Sequence, residues 1–278
     1  MRRAWGAAIV AAGVLAVVVA IAMAQTPPPV VTVTAGPDSA VAQVSGPVAA
    51  GPTTFRVTKA ASRRGLTVYF ALLNAGVTLE EFRAAIAADD RGQGDTSLGL
   101  VSIQGATSLT GQETTRDVTF TLKPGVTYVM ITEPESRGPV RHGGFGTLTT
   151  TGTPNGATTA TPDATIRMVN RRFRGARSLP RSGVVRFTNE DGVPHFAIAF
   201  PLRRGVSTAR FGRVLRSNNE RAFGRLVAGE PVGVQALISG GGTANDQQLR
   251  FPRAGRYGFV CFFDGHERLG MYRVIRVR

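Results

Sequence analysis

From Gln25 to the C-terminus, apolar and polar residues alternate in short runs rich in Thr and Val and punctuated by Gly and Pro, the pattern of strands joined by turns. Only a few stretches carry helical spacing. Thr78 and Glu81 are spaced as a capping box, and Leu79, Phe82 and Ile86 recur on one face, which predicts a short helix. A second is predicted after Ser207 as its cap, with Phe211 and Leu215 turned inward. Tyr257, Phe259 and Cys261 alternate with Gly258 and Val260, so the three share one face of a strand, with Cys261 at its end on the core side.

The N-terminus has a different pattern. Arg2 and Arg3 precede an apolar run from Ala7 to Ala22, and Ala22-Met23-Ala24 reads as a small-residue cleavage site, so residues 1–24 are expected to be a signal peptide or, if uncleaved, an N-terminal anchor. Either reading places the rest of the chain outside the cytoplasm, secreted, periplasmic or in the cell envelope. A second break falls at residues 149–164, built only from Thr, Gly, Pro, Ala, Asn and Asp, a composition expected of a linker between domains at 28–148 and 165–278.

The two sides of that break are similar to each other. The segment from Phe55 aligns without a gap on the segment from Val185, placing Val57 on Phe187, Thr58 on Thr188, Gly65 on His195 and Phe70 on Phe200. Residues 75–82 align on 204–211, KPGVTYVMIT on RAGRYGFVCF, and 142–147 on 266–271, which reads as an internal duplication.

Charge separates the halves. The formal net charge is +15, and residues 160–278 hold 21 arginines against eight acidic residues, many of them in RRFRGARSLPRSG. Such a surface suits an acidic protein partner, a cell-envelope polyanion or a membrane surface, or is simply solvated. Nucleic acid is a poor match for an exported chain without a recognition motif.

The chain has one cysteine and three histidines. Cys261 cannot form an intrachain disulfide; a buried inert thiol, an intermolecular bridge and a metal ligand remain as readings. His195 and His266 lie in the second half, with Cys261 five residues before His266 and Met271 five residues after it. In a β-sandwich these four can meet at one end, and only the fold can bring His195 to the others.

At these residues the chain resembles the cupredoxins. VRFTNEDGVPHFAIAF is similar to their first copper-ligand segment, and GRYGFVCFFDGHERLGMYRVIRV to their C-terminal ligand loop, as in azurin, plastocyanin and auracyanin. The resemblance implies an all-β fold of two tandem cupredoxin-like Greek-key β-sandwiches, each with a short helix, the first a degenerate copy. It also implies one type 1 copper ion held by His195, Cys261 and His266, with Met271 axial and the Pro194 carbonyl near the opposite side. The first copy would lack the site, having Gly65, Thr132, His142 and Thr147 at the four positions. Phe196 stands where the family commonly has an Asn that ties the ligand loops together. The expected function is one-electron transfer in the cell envelope with a redox partner protein, without enzymatic activity. The alternatives are zinc at the same donors, a metal-free core, and a binding or structural module whose metal site is vestigial. Multicopper oxidases and copper nitrite reductases need further histidines, which this chain does not supply.

Overall fold

A computed structural model describes residues 26–36, 39–42, 46–62, 64–91, 96–135, 144–232, 239 and 243–278. The expected signal segment and His142 lie outside them. The first half contains strands β1 (Val30–Gly36), β2 (Ser39–Ala42), β3 (Val48–Thr58) and β4 (Leu66–Leu73), helix α1 (Leu79–Asp90), and strands β5 (Val101–Leu109), β6 (Thr115–Leu122), β7 (Thr127–Pro134) and β8 (Phe145–Pro154). The second half contains β9 (Ala164–Met168), β10 (Phe173–Gly175), β11 (Ser178–Leu179), β12 (Ser182–Asn189) and β13 (Ile198–Pro201), then helices α2 (Thr208–Arg216) and α3 (Glu220–Gly224). It ends with β14 (Thr243–Arg250), β15 (Gly255–Val260) and β16 (Tyr272–Val277).

The helices begin where the sequence places them. The Thr78 hydroxyl accepts from the Glu81 N–H and the Glu81 carboxylate accepts from the Thr78 N–H, satisfying two donors that a helix start leaves free. Ser207 accepts from the Arg210 N–H in the same way. Phe82 and Ile86 on α1, and Phe211 and Leu215 on α2, are buried. Helix α3, capped by Asn219, is an addition to the expected single helix in this half.

Strand pairing corrects the expectation of two tandem Greek-key sandwiches. β3 pairs β1 in parallel and β6 antiparallel, and β12 pairs β9 in parallel and β14 antiparallel. β14 then pairs β6, with Asn245 opposite Phe120 and Gln247 opposite Val118. A single 12-stranded sheet therefore crosses both halves, alongside a four-stranded sheet of order β11-β16-β15-β13. The physical reason is that an open strand edge carries unpaired N–H and C=O groups, and each half supplies the other with a partner for them. Gln247 reinforces the join, its Nε2 donating to the Ala106 carbonyl at 2.8 Å. The simple-composition stretch begins as strand, because β8 runs to Pro154 and Thr149 lies opposite Thr127.

In the first half Phe55, Phe70 and Phe120 pack with ring centroids 4.5–5.4 Å apart, Phe55 and Phe120 stacked and Phe70 tilted against both. In the second, Phe187, Phe251, Tyr257, Phe259 and Ile275 form a core that includes Cys261 and Met271. Full burial of such side chains stabilises the fold by roughly 1.5–3 kcal/mol each. Phe196 and Phe263 pack both against this core and against the Phe82, Ile103 and Ile131 cluster of the first half. Phe196 thus makes an apolar contact between the halves.

Candidate metal centre

Three strand ends bring the predicted residues together. β13 pairs β15 with Ile198 opposite Val260, and β15 pairs β16 with Val260 opposite Tyr272. Neighbouring strands lie about 4.8 Å apart, so residues just beyond these pairs are forced close. Cys261 follows β15 directly, Met271 precedes β16 directly, and His195 lies on the loop entering β13. The connection carrying His266 is closed by backbone bonds: the Cys261 N–H donates to the Met271 carbonyl at 3.1 Å and the Met271 N–H to the His266 carbonyl at 2.9 Å.

The donor atoms converge. His195 Nδ1 and His266 Nδ1 are 3.1 Å apart, and Cys261 Sγ is 3.6 Å from His266 Nδ1. One ligand atom from each of the three residues falls within 4.8 Å of the others, and all three side chains are buried. Met271, fully buried, lies beside them in the core.

The surroundings prepare these atoms to bind a cation. Asp191 Oδ2 lies 2.8 Å from His195 Nε2. Burial works to raise the Asp191 carboxyl, but bonds from the Arg171 N–H, the His195 ring and the Asn170 N–H outweigh it and hold it below its ordinary value. An ionised carboxylate only accepts, so Nε2–H donates to it and the lone pair of Nδ1 faces the centre. Burial lowers His195 against the pull of Asp191, and burial together with the neighbouring His195 lowers His266, so both imidazoles favour the neutral, ligating form. Burial pushes the Cys261 thiol up to about 11, although the backbone N–H groups of Phe196 and Phe263 point at its sulfur and favour the thiolate. A buried thiol carrying two donors, but no positive charge beside it, is suited to a metal cation, which ionises a coordinating thiol outright.

His195, Cys261 and His266, with Met271 beside them, form a single metal-binding site in the second half of the chain. Imidazole, thiolate and thioether are the donors that suit copper, and the residues present fit that ion.

Two supporting side chains carry no clear signal in the sequence. Asp191 fixes the tautomer of His195. Asn189 is fully buried, donates to the Val193 carbonyl at 2.7 Å and accepts from the Asp191 N–H at 3.0 Å, shaping the loop that carries both. The matching positions of the first half are arranged differently. Thr132, the expected counterpart of Cys261, is buried and exchanges bonds with both backbone groups of Gly144, and Thr147 is exposed. Among the described residues, no second group of histidine, cysteine and acidic side chains is placed to hold an ion.

No protein-family model and no curated protein matches the chain. Among solved structures it is similar to auracyanin B, at 25% identity over 44% of this chain and 93% of that one, with a TM-score of 0.28. Auracyanin A, a "blue" copper protein of Chloroflexus aurantiacus, aligns at 19% identity over 44% and 98%, with a TM-score of 0.28. A multicopper oxidase aligns at 13% identity over 90% and 88%, with a TM-score of 0.25. Scores of this size do not identify a shared fold.

The resemblance to the cupredoxins, with the first half as a degenerate copy, is accordingly corrected to a weak and remote one. No family model matches, and one sheet runs through both halves where two tandem Greek-key sandwiches were expected. The type 1 copper electron carrier expected from that resemblance is corrected with it, since it presupposed a cupredoxin sandwich in the second half. The metal site remains. Among the described residues, no helix is long and apolar enough to cross a membrane.

Proposed function

We propose that this protein is an exported metal-binding protein that holds one copper ion in the buried site of its second half. The observation that carries this reading is the convergence of two imidazole Nδ1 atoms and one thiol sulfur within 4.8 Å in the protein interior. Met271, placed beside them by its bonds to Cys261 and His266, adds a thioether that copper accepts and zinc rarely takes. When bound, copper supplies the positive charge that keeps the Cys261 thiolate ionised inside the protein. Every donor belongs to the chain and is buried, an arrangement that retains an ion and offers no face to a substrate, which supports a role without enzymatic activity at this site. Export is supported by Arg2, Arg3, the apolar run to Ala22 and the small residues before Gln25.

Titration of the purified full-length chain with copper(I) and with zinc, followed by metal analysis, tests the proposal. One equivalent of copper retained through gel filtration, lost in Cys261→Ser and not displaced by equimolar zinc, is the expected result. Copper retained equally by Cys261→Ser, or displaced by zinc, would overturn it.

A further inference from the structure

At the far end of β15 from Cys261, the turns after β13 and before β15 border an open cleft of about 510 Å³. Tyr257, on the cleft wall, stands four positions before Cys261 along the strand, which places the cleft about 13 Å from the metal centre. Its frame is hydrogen-bonded: the Leu202 N–H donates to the Arg256 carbonyl at 2.8 Å, and the Tyr257 hydroxyl donates to the Arg253 carbonyl at 2.9 Å.

Arg203, Arg204, Arg253 and Arg256 line this cleft, all four are exposed, and no acidic residue lines it. Some arginines elsewhere have an acidic partner, as Arg56 has Asp117, Arg116 has Glu113, Arg167 has Glu190 and Arg186 has Asp246. Among the described residues, none of the four cleft arginines makes an ion pair. Two are braced by neutral acceptors, Arg253 by the Ala228 carbonyl at 2.8 Å and Arg256 by the Thr208 hydroxyl at 3.5 Å, which leaves further N–H groups for a ligand. Thr208 also opens α2, whose first turn carries no acidic residue, so the positive end of that helix is uncompensated beside the cleft. Four guanidinium groups around one concavity repel each other, and neither core packing nor the metal centre accounts for their placement.

We propose that this cleft binds a small free polyanion carrying two or more phosphate groups. Guanidinium groups match phosphate oxygens with paired N–H donors. The concave shape favours a small ligand over a flat bilayer, and the volume is several times that of one phosphate group. The site is independent of the copper centre.

Calorimetric titration of the full-length, copper-loaded protein with inorganic tripolyphosphate tests this, with copper content measured before and after. Saturable one-to-one binding is expected, weakened about tenfold for each guanidinium removed, so about a hundredfold in Arg204→Gln/Arg253→Gln. A control with the same charge change, Arg64→Gln/Arg174→Gln, is expected to keep its affinity, and both variants their copper. Equal weakening in the two variants, or the absence of saturable binding, would overturn the proposal. Binding to vesicles of anionic phospholipid without binding of tripolyphosphate would also overturn it, in favour of a membrane headgroup.

Discussion

Asp191→Ala removes one carboxylate that joins three groups. In the wild type it accepts from the Asn170 N–H at 2.6 Å, from the Arg171 N–H at 2.8 Å and from His195 Nε2 at 2.8 Å. Asn170 and Arg171 both have φ of 51°, a left-handed conformation that side chains other than glycine adopt at a cost, and the carboxylate helps hold them there. Its loss has two separable effects. Bonds to a charged acceptor are worth about 1.5–3 kcal/mol each, and on this partly exposed loop their joint loss is expected to destabilise the metal-free fold by about 2 kcal/mol. The second effect falls on the ion: freeing His195 to rotate or change tautomer is expected to weaken copper binding by about ten- to a hundredfold. Asp191→Asn keeps an oxygen acceptor but not the charge, and should fall between alanine and wild type. Competition against a copper(I) chelator measures the affinity, and nitrogen NMR of the His195 ring reads the tautomer without metal. Unchanged affinity in Asp191→Ala, together with unchanged ring shifts, would refute the role assigned to this carboxylate.

Proton release gives a further test. The Cys261 thiol, held up to about 11 by burial, must lose its proton when an ion binds, whereas burial lowers both histidines from their ordinary value and favours their neutral form. Between about pH 7 and 10, apparent copper affinity should rise about tenfold per unit, with about one proton released per ion in a weakly buffered titration; no release would contradict a thiolate ligand. Because that thiol pKa is raised on folding, its contribution to metal-free stability is present below about 8.5 and is lost as pH rises towards the folded value. Phe196→Ala removes a half-buried ring packed against both halves and should cost about 2 kcal/mol in denaturant unfolding. An unchanged midpoint would show that this contact adds nothing to stability.

The local elements could be read from the sequence because side chains encode them. The Thr78–Glu81 box, the Ser207 cap and the inward face of Tyr257, Phe259 and Cys261 all appear as expected. The metal centre was legible for a related reason: imidazole and thiolate are rare here, so their spacing stands out against the rest of the chain. The β6–β14 pairing was not, because it is made by main-chain groups that every residue carries, and no side-chain pattern announces which strand edges will meet. Asp191 was not legible either, for the opposite reason. An acidic residue in a loop four positions before a histidine is common, and only the turn at Asn170 and Arg171 folding over it distinguishes this one.

The seam between β6 and β14 decides how this polypeptide can be divided. A fragment beginning near residue 160 would keep all four metal-site residues but would bare one flank of β14 and turn the rings of Phe196 and Phe263 to water. Two such fragments would find in each other a replacement for the missing ribbon, so truncation invites self-association beside the ion's pocket. With both halves joined, Phe196 and Phe263 stay covered beside that pocket.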